Sequence, residues 1–144
     1  MSCEFCAIAA GETPRVFVYE DDSYIAMLDI HPFTRGHTLV LPRRHTVDLA
    51  DTPSKTVADM ITIGHRIARA ARATELADGT NVAINDGCAA SQSVPHIHLH
   101  VLPRRNDDKL TVADGRVVPR DPDPEATGRI LRAALARIDE GQPG

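Results

Sequence analysis

The chain has 144 residues, 42% of them hydrophobic, with 16 Lys and Arg against 20 Asp and Glu and a formal net charge of −4. That length suits one domain with a sizeable core, and the acidic balance excludes general nucleic-acid wrapping through a basic surface. No apolar run approaches the roughly 20 residues of a membrane span, so no membrane partner is expected. The N-terminus carries no signal-peptide pattern, and with three cysteines (Cys3, Cys6, Cys88) this points to reduced thiols in a cytoplasm rather than a disulfide scaffold.

Arg15–Glu20 and Tyr24–Asp29 read as two strands joined by the turn Glu20-Asp21-Asp22-Ser23, an antiparallel hairpin. His37–Leu41 is a third β-rich run, ended by Pro42. Thr52-Pro53 predicts a helix start, with Thr as N-cap and Pro in the first helical position. Val57, Met60, Ile61, Gly64, Ile67, Ala68 and Ala71 then recur at helical spacing and predict one apolar face. Asn81–Asn85 and His96–Leu102 supply two more strands around the loop Asp86–Val94. Beyond Pro103 the chain turns polar until Asp123-Pro124 starts a last amphipathic helix, with Ala126, Ile130, Leu131, Ala134, Leu135 and Ile138 on one side. Mostly antiparallel strands with one long helix between the third and fourth define an α+β domain. The C-terminal helix is expected as an appendage or a dimer element.

The densest chemical signal is Val94-Pro-His-Ile-His-Leu-His-Val-Leu-Pro103. On an extended strand, His96, His98 and His100 share one face and Ile97, Leu99 and Val101 the other. Rings two residues apart on a strand lie roughly 6.5–7 Å from one another, within reach of a shared zinc. A neutral imidazole is also a competent nucleophile near neutral pH. Spacing alone leaves a metal site and group transfer level. Cys3-x-x-Cys6 is weak by itself, because no βαβ pattern follows it.

The run His-Ile-His-Leu-His-Val-Leu resembles the signature of the histidine triad (HIT) superfamily of nucleotide hydrolases and transferases. Phe5-Cys-Ala-Ile8, Tyr19-Glu-Asp-Asp22, Leu28-Asp-Ile30, Gly36-His-Thr-Leu-Val-Leu-Pro42, Asn85-Asp-Gly87 and Gln92-Ser-Val94 stand in that family's order and spacing. The resemblance covers residues 3–105 as a HIT-like domain and leaves 106–144 as a C-terminal extension. It is strongest to Hint-like bacterial HIT hydrolases with an N-terminal Cys-x-x-Cys.

The resemblance implies cleavage at the α-phosphate of adenylylated substrates, nucleoside phosphoramidates or dinucleoside polyphosphates, through a covalent nucleotidyl-histidine on His98. His100 would donate to a non-bridging oxygen, His37 would line the phosphate site from a neighbouring strand, and Ser93 would reach the phosphate or leaving group. Asn85 and the loop Ser91, Gln92 and Ser93 would complete the cradle, with Leu99 between the two histidines. Asp29 would grip the ribose, and Phe5, Ile8, Leu28 and Ile30 would surround a purine base, leaving base choice open. One branch of the superfamily also implies a structural zinc on Cys3, Cys6, His45 and His96, and members commonly form homodimers. No organic cofactor is implied. The alternative function is a nucleotide-binding regulator with little turnover. Ser91 stands where the family often has Gly, so the phosphate loop is expected to be shaped differently.

Overall fold

A computed structural model describes residues 3–108 and 121–141; the rest of the expected extension, 109–120 and 142–144, lies outside the described residues. The helix α1 (Glu4–Ala9) comes first, followed by the hairpin β1 (Phe17–Glu20) and β2 (Tyr24–Leu28), then β3 (Thr38–Pro42). A long helix α2 (Ser54–Arg72), strands β4 (Gly79–Ile84) and β5 (Leu99–Arg104), and a last helix α3 (Pro124–Gly141) complete the order. The strands form one antiparallel sheet in the order β1-β2-β3-β5-β4. This is the α+β architecture expected.

Every residue of β2 and β3 is buried, because both faces of the sheet are covered. One face, carrying Ala26, Leu28, Val40, Leu99 and Val101, packs on α2 and α3. The opposite face, carrying Ile25, Met27, Leu39 and Leu41, packs on Phe5 and Ile8 of α1. Apolar positions Met60, Ile63, Gly64, Ile67, Ala70 and Ala71 are the buried stripe of α2. The helix lies so close that a Cβ on Gly64 would stand 2.7 Å from Leu99 Cδ2. Glycine there is a condition of helix–strand packing directly behind the histidine run.

Three expectations are corrected, and one helix is added. Residues 4–9 form a helix, capped by the Cys3 sulfur accepting the Cys6 N–H. Thr52 does not cap α2: its hydroxyl donates to the Asp48 carbonyl at 2.6 Å and lies 2.8 Å from Thr46 Oγ1, and Pro53 stands at the cap position without a side-chain bond. The last active-site strand starts at Leu99, not His96, since the Ile97 N–H is drawn to the Thr46 carbonyl at 2.8 Å instead of a neighbouring strand. It continues through Pro103, which pairs only with Thr80 of β4; β3 stops pairing at Val101, so no second ladder needs the missing N–H.

α3 is part of the core, not an appendage. Leu131, Ala134 and Leu135 are buried in the helical layer. Arg132 Nη1 donates to the Phe17 carbonyl at 2.7 Å, and Arg66 pairs with Asp139 at 2.5 Å. At the far edge β4 exposes Asn81, Val82 and Ala83. Among the described residues, no helix is long and apolar enough to cross a membrane.

Candidate active site

The chain enters β5 through a short extended segment whose backbone and rings are all in use. His96 is fully buried and donates its Nε2–H to the Pro42 carbonyl at 2.7 Å. Its Nδ1 lone pair therefore faces the other way, toward Cys3 Sγ at 3.4 Å, Cys6 Sγ at 3.6 Å and His45 Nδ1 at 3.3 Å. Cys6 Sγ and His45 Nδ1 are 3.5 Å apart. A tetrahedral ion with N and S ligands at about 2.0–2.3 Å spaces its donors by about 3.3–3.8 Å. Four of the six edges thus have the lengths of a closed metal site, and all four atoms lie within 4.8 Å of one another, a group able to hold an ion. Burial, then neighbouring Cys3, raises the Cys6 thiol above its ordinary pKa. Ionising such a thiol would call for a cation beside it.

The carbonyl of the same His96 accepts the Nδ1–H of His98 at 2.8 Å. That bond assigns the proton to Nδ1 and leaves Nε2 with its lone pair. Phe5 of α1 packs edge-on against His98, with centroids 5.1 Å apart and planes at 84°, and also touches His96 at 5.8 Å. The helix placed by the two cysteines therefore also sets the ring of His98.

A second chain of bonds starts from backbone. Phe33 N–H donates to His37 Nδ1 at 3.1 Å, and a backbone amide can only donate. His37 then carries its proton on Nε2 and gives it to His100 Nδ1 at 2.9 Å. The His100 proton is left on Nε2, which is buried without a hydrogen-bond partner among the described residues. Asp29 Oδ2 lies 3.7 Å from His37 Nε2, while its Oδ1 accepts the His31 N–H at 2.9 Å. Asp29, His37 and His100 also cluster closely enough to suggest a metal, but the atom His37 would offer already bears a proton.

All these rings are held neutral. Burial first, only partly offset by Asp29, lowers His37 to about 4. Burial first, then the neighbouring His37 and His98, lowers His100 to about 4. His96 and His98 are lowered as well, again chiefly by burial.

The expectation of three imidazoles on one face is corrected. His98 and His100 line a cavity of about 350 Å³, whereas His96 turns toward the cysteines. Three rings sharing one metal, the option left open by spacing, is not what the fold builds. The cavity also brings together Phe5, Leu28, Asp29, Ile30 and Ser93, all expected there. Other expected nucleotide contacts lie elsewhere. The side chain of Leu99 is in the helical layer, because neighbours on a strand alternate faces, and Ile8 is fully buried beneath α1. Asn85 falls just past β4 and does not line the cavity.

Gln92 braces its own loop: Oε1 accepts the Gly87 N–H at 2.8 Å and Nε2 donates to the Val47 and Val94 carbonyls at 2.6 and 3.0 Å. The Ser91 and Gln92 amides bond back to Cys88 and Gly87, so they are not open donors for a phosphate. Ser91 has φ 72°, the left-handed conformation that favours glycine. Ser91 therefore holds a glycine-type backbone conformation despite its side chain. Cys88 is exposed and outside the metal group.

Sequence reasoning missed Phe33, which acts through its amide and so leaves no side-chain signal. It also missed Glu4 and Arg15, which line the cavity.

Comparison with known proteins assigns the chain and its fold to a family. Residues 10–107 match the HIT domain family model, and the chain belongs to that family. An uncharacterized HIT-like protein of Mycobacterium tuberculosis is 69% identical over 139 residues, 96% of each chain. An adenosine 5′-monophosphoramidase of Saccharomyces cerevisiae is 33% identical over 96% of this chain and 84% of its own. The crystal structure of a zinc-bound histidine triad family protein from Mycobacterium smegmatis is 60% identical, covers 99% of each chain and superposes with a TM-score of 0.91.

The neutral rings make a pH prediction. His37 and His100 titrate near 4 when folded and near about 6.5 when unfolded. Between those values the unfolded chain binds more protons, so these two groups contribute stability that declines as pH falls through that window. Nitrogen-15 spectra at pH 7 should show Nε2–H tautomers for both rings and the Nδ1–H tautomer for His98. Protonation of His37 or His100 with a midpoint near 6.5 in the folded protein would contradict the assignment.

Proposed function

We propose that the chain is a nucleotidyl hydrolase or transferase that cleaves adenylylated substrates, nucleoside phosphoramidates or dinucleoside polyphosphates, at the α-phosphorus with His98 as nucleophile. The observation that carries this reading is the pinned His98 ring: Nδ1–H on the His96 carbonyl, Nε2 unprotonated, and the ring lining the cavity. His98 Nε2 forms a bond to phosphorus as the bond to the leaving group breaks, and the leaving group departs with the pair and takes up a proton. Water then adds to phosphorus, the N–P bond breaks, and the neutral imidazole returns. While the ring carries the nucleotidyl group it is cationic, and the His96 carbonyl oxygen stabilises that charge through Nδ1–H. The unpartnered His100 Nε2–H supplies a donor for a non-bridging oxygen, oriented through His37. Ser93 serves the leaving-group side, Asp29 the ribose hydroxyls, and Phe5, Leu28 and Ile30 the base. The relationship to a yeast adenosine monophosphoramidase supports this chemistry.

Zinc at Cys3, Cys6, His45 and His96 belongs to the same reading, supported by the donor spacing and by the zinc-bound relative. When bound it supplies closed structural coordination and no open position for substrate. Reduced thiols of this kind suit a cytoplasmic setting. A homodimer is part of the proposal too. The open β4 edge, with Val82 42% exposed there and Ile61 47% exposed on α2, offers unpaired backbone and apolar area for a second copy.

Three measurements test these points. His98→Ala should reduce hydrolysis of an AMP phosphoramidate by at least about a thousandfold while AMP still binds, and mass spectrometry of the quenched wild-type reaction should find AMP on His98. Equal, negligible turnover in both proteins would instead favour a nucleotide-binding regulator. Metal analysis of protein purified without added zinc should give a stoichiometry near one, and Cys6→Ser should lower both metal content and the thermal midpoint; a metal-free, equally stable wild type ends the zinc assignment. Light scattering should return twice the chain mass, and a monomer at micromolar concentration counts against the dimer.

A further inference from the structure

The cavity is lined by one ion pair that neither the phosphorus chemistry nor the ribose grip uses. Glu4 stands at the start of α1 and Arg15 just ahead of β1, and both border the same space as His98, His100 and Asp29. Their closest approach, Glu4 Oε2 to Arg15 Nη2, is 3.8 Å. That is an ion-pair separation but too long for a hydrogen bond, so the carboxylate still has capacity to accept and that guanidinium nitrogen to donate. Arg15 is not a loose surface cation: its side chain is 15% exposed and Nη1 is anchored on the Pro14 carbonyl at 2.9 Å. With phosphorus at His98 and His100, the leaving group at Ser93 and ribose at Asp29, the polar side chains left to meet the base are Glu4, Arg15 and His31, and of these Glu4 and Arg15 stand together as an acceptor beside a donor. Around them Phe5, Met27, Leu28 and Leu39 are apolar and indifferent to base identity.

Resting on the nucleotidyl reading above, we propose that Glu4 and Arg15 select adenine, the carboxylate accepting from the 6-amino group and the guanidinium donating to an adjacent ring nitrogen. Adenine places that amino donor beside a ring acceptor on both of its hydrogen-bonding edges, N1 on one and N7 on the other. An acceptor beside a donor therefore fits adenine whichever edge is presented. Hypoxanthine and guanine carry a 6-oxo acceptor, which faces Glu4 with like partial charge. On their N7 edge they offer only acceptors. Hypoxanthine and guanine fit the pair only through their Watson–Crick edge, N1–H to Glu4 and O6 to Arg15, with the base shifted from the place adenine takes. The half-exposed Glu4 carboxylate makes this a modest discrimination, about tenfold for one charge-assisted hydrogen bond.

Calorimetric titration with AMP, purine riboside 5′-monophosphate, IMP and GMP reads the pair without requiring turnover. AMP should bind wild-type protein about tenfold more tightly than the purine riboside monophosphate, which lacks the 6-amino group, and at least that much more tightly than IMP. Glu4→Gln and Arg15→Met, each checked for a wild-type circular dichroism spectrum, should bring the AMP-to-IMP ratio to within about threefold. Equal binding of all four by wild-type protein, or a full AMP preference in both variants, overturns the proposal. An AMP preference without hydrolysis of any phosphoramidate leaves base selection standing and removes the catalytic reading. Hydrolysis of adenosine and inosine phosphoramidates at equal kcat/KM does the reverse. Binding of none of the four nucleotides overturns both.

Discussion

The interaction on which the rest of the site depends is the fixation of His96 from three directions. Its Nε2–H is tied to the Pro42 carbonyl at the end of β3, its Nδ1 faces two cysteines and His45, and its own carbonyl receives the Nδ1–H of His98. A buried imidazole left without partners would be costly, and here both ring nitrogens and the carbonyl of the residue meet one. The consequence passes along the chain. Because His96 cannot rotate without breaking these contacts, the carbonyl that selects the tautomer of His98 is rigid too. The group formed by Cys3, Cys6, His45 and His96 is thereby coupled to the ring of His98 through the His96 carbonyl.

Burial and backbone geometry together solve the problem of holding several histidines side by side. Cationic rings with centroids 4.9–5.2 Å apart would repel strongly in so dry a place, and burial keeps them neutral. Neutrality alone does not say which nitrogen carries the proton. The Phe33 amide decides that for His37, and the decision passes to His100 through a 2.9 Å bond. The resulting pair, a lone pair on His98 Nε2 beside a donor on His100 Nε2, matches what an attacked phosphoryl group requires: a nucleophile and a proton donor for its oxygen. Protonating either ring would remove this complementarity.

The scaffold behind the site is as restrictive as the site. Leu99 lies between the two cavity histidines and packs within reach of Gly64, so α2 determines how far β5 is pushed toward α1. On the other face, Phe5 and Ile8 close the sheet with a single short helix. α3, C-terminal to the residues that match the family model, adds its own apolar stripe to the α2 layer and ties β1 through Arg132. It also brings Asp121, Pro124 and Glu125 to a second cavity of about 390 Å³ that shares Asp29 and Arg15 with the first. The surroundings of Asp29 are thus built partly by residues outside the HIT domain.

The sequence by itself determined what short-range periodicity and residue type can carry. The β-rich runs of β2 and β3 were legible from residue type and the turn and proline that bound them, and the apolar stripe of α2 and the helix after Asp123-Pro124 from the 3.6-residue spacing a helix imposes on burial. The run from His96 to His100 was legible from its alternation, and Asp29, His37 and Ser93 were legible as candidate groups through resemblance to a known family. Only the tertiary structure decided how those groups divide their work. Three evenly spaced histidines do not act alike: a backbone amide of Ile97 drawn to Thr46 ends the regular strand early and sends His96 toward the cysteines. Likewise α1, six residues long, was invisible to periodicity, because so short a helix exists through its Cys3 cap and its packing rather than its own propensity. Gln92, Leu99, Ile8 and Phe33 make the same point, since hydrogen-bond partners and facing surfaces come from residues distant in the chain. Composition names the groups available for chemistry, and long-range contacts decide which of them meet, which nitrogen bears the proton, and which face the cavity.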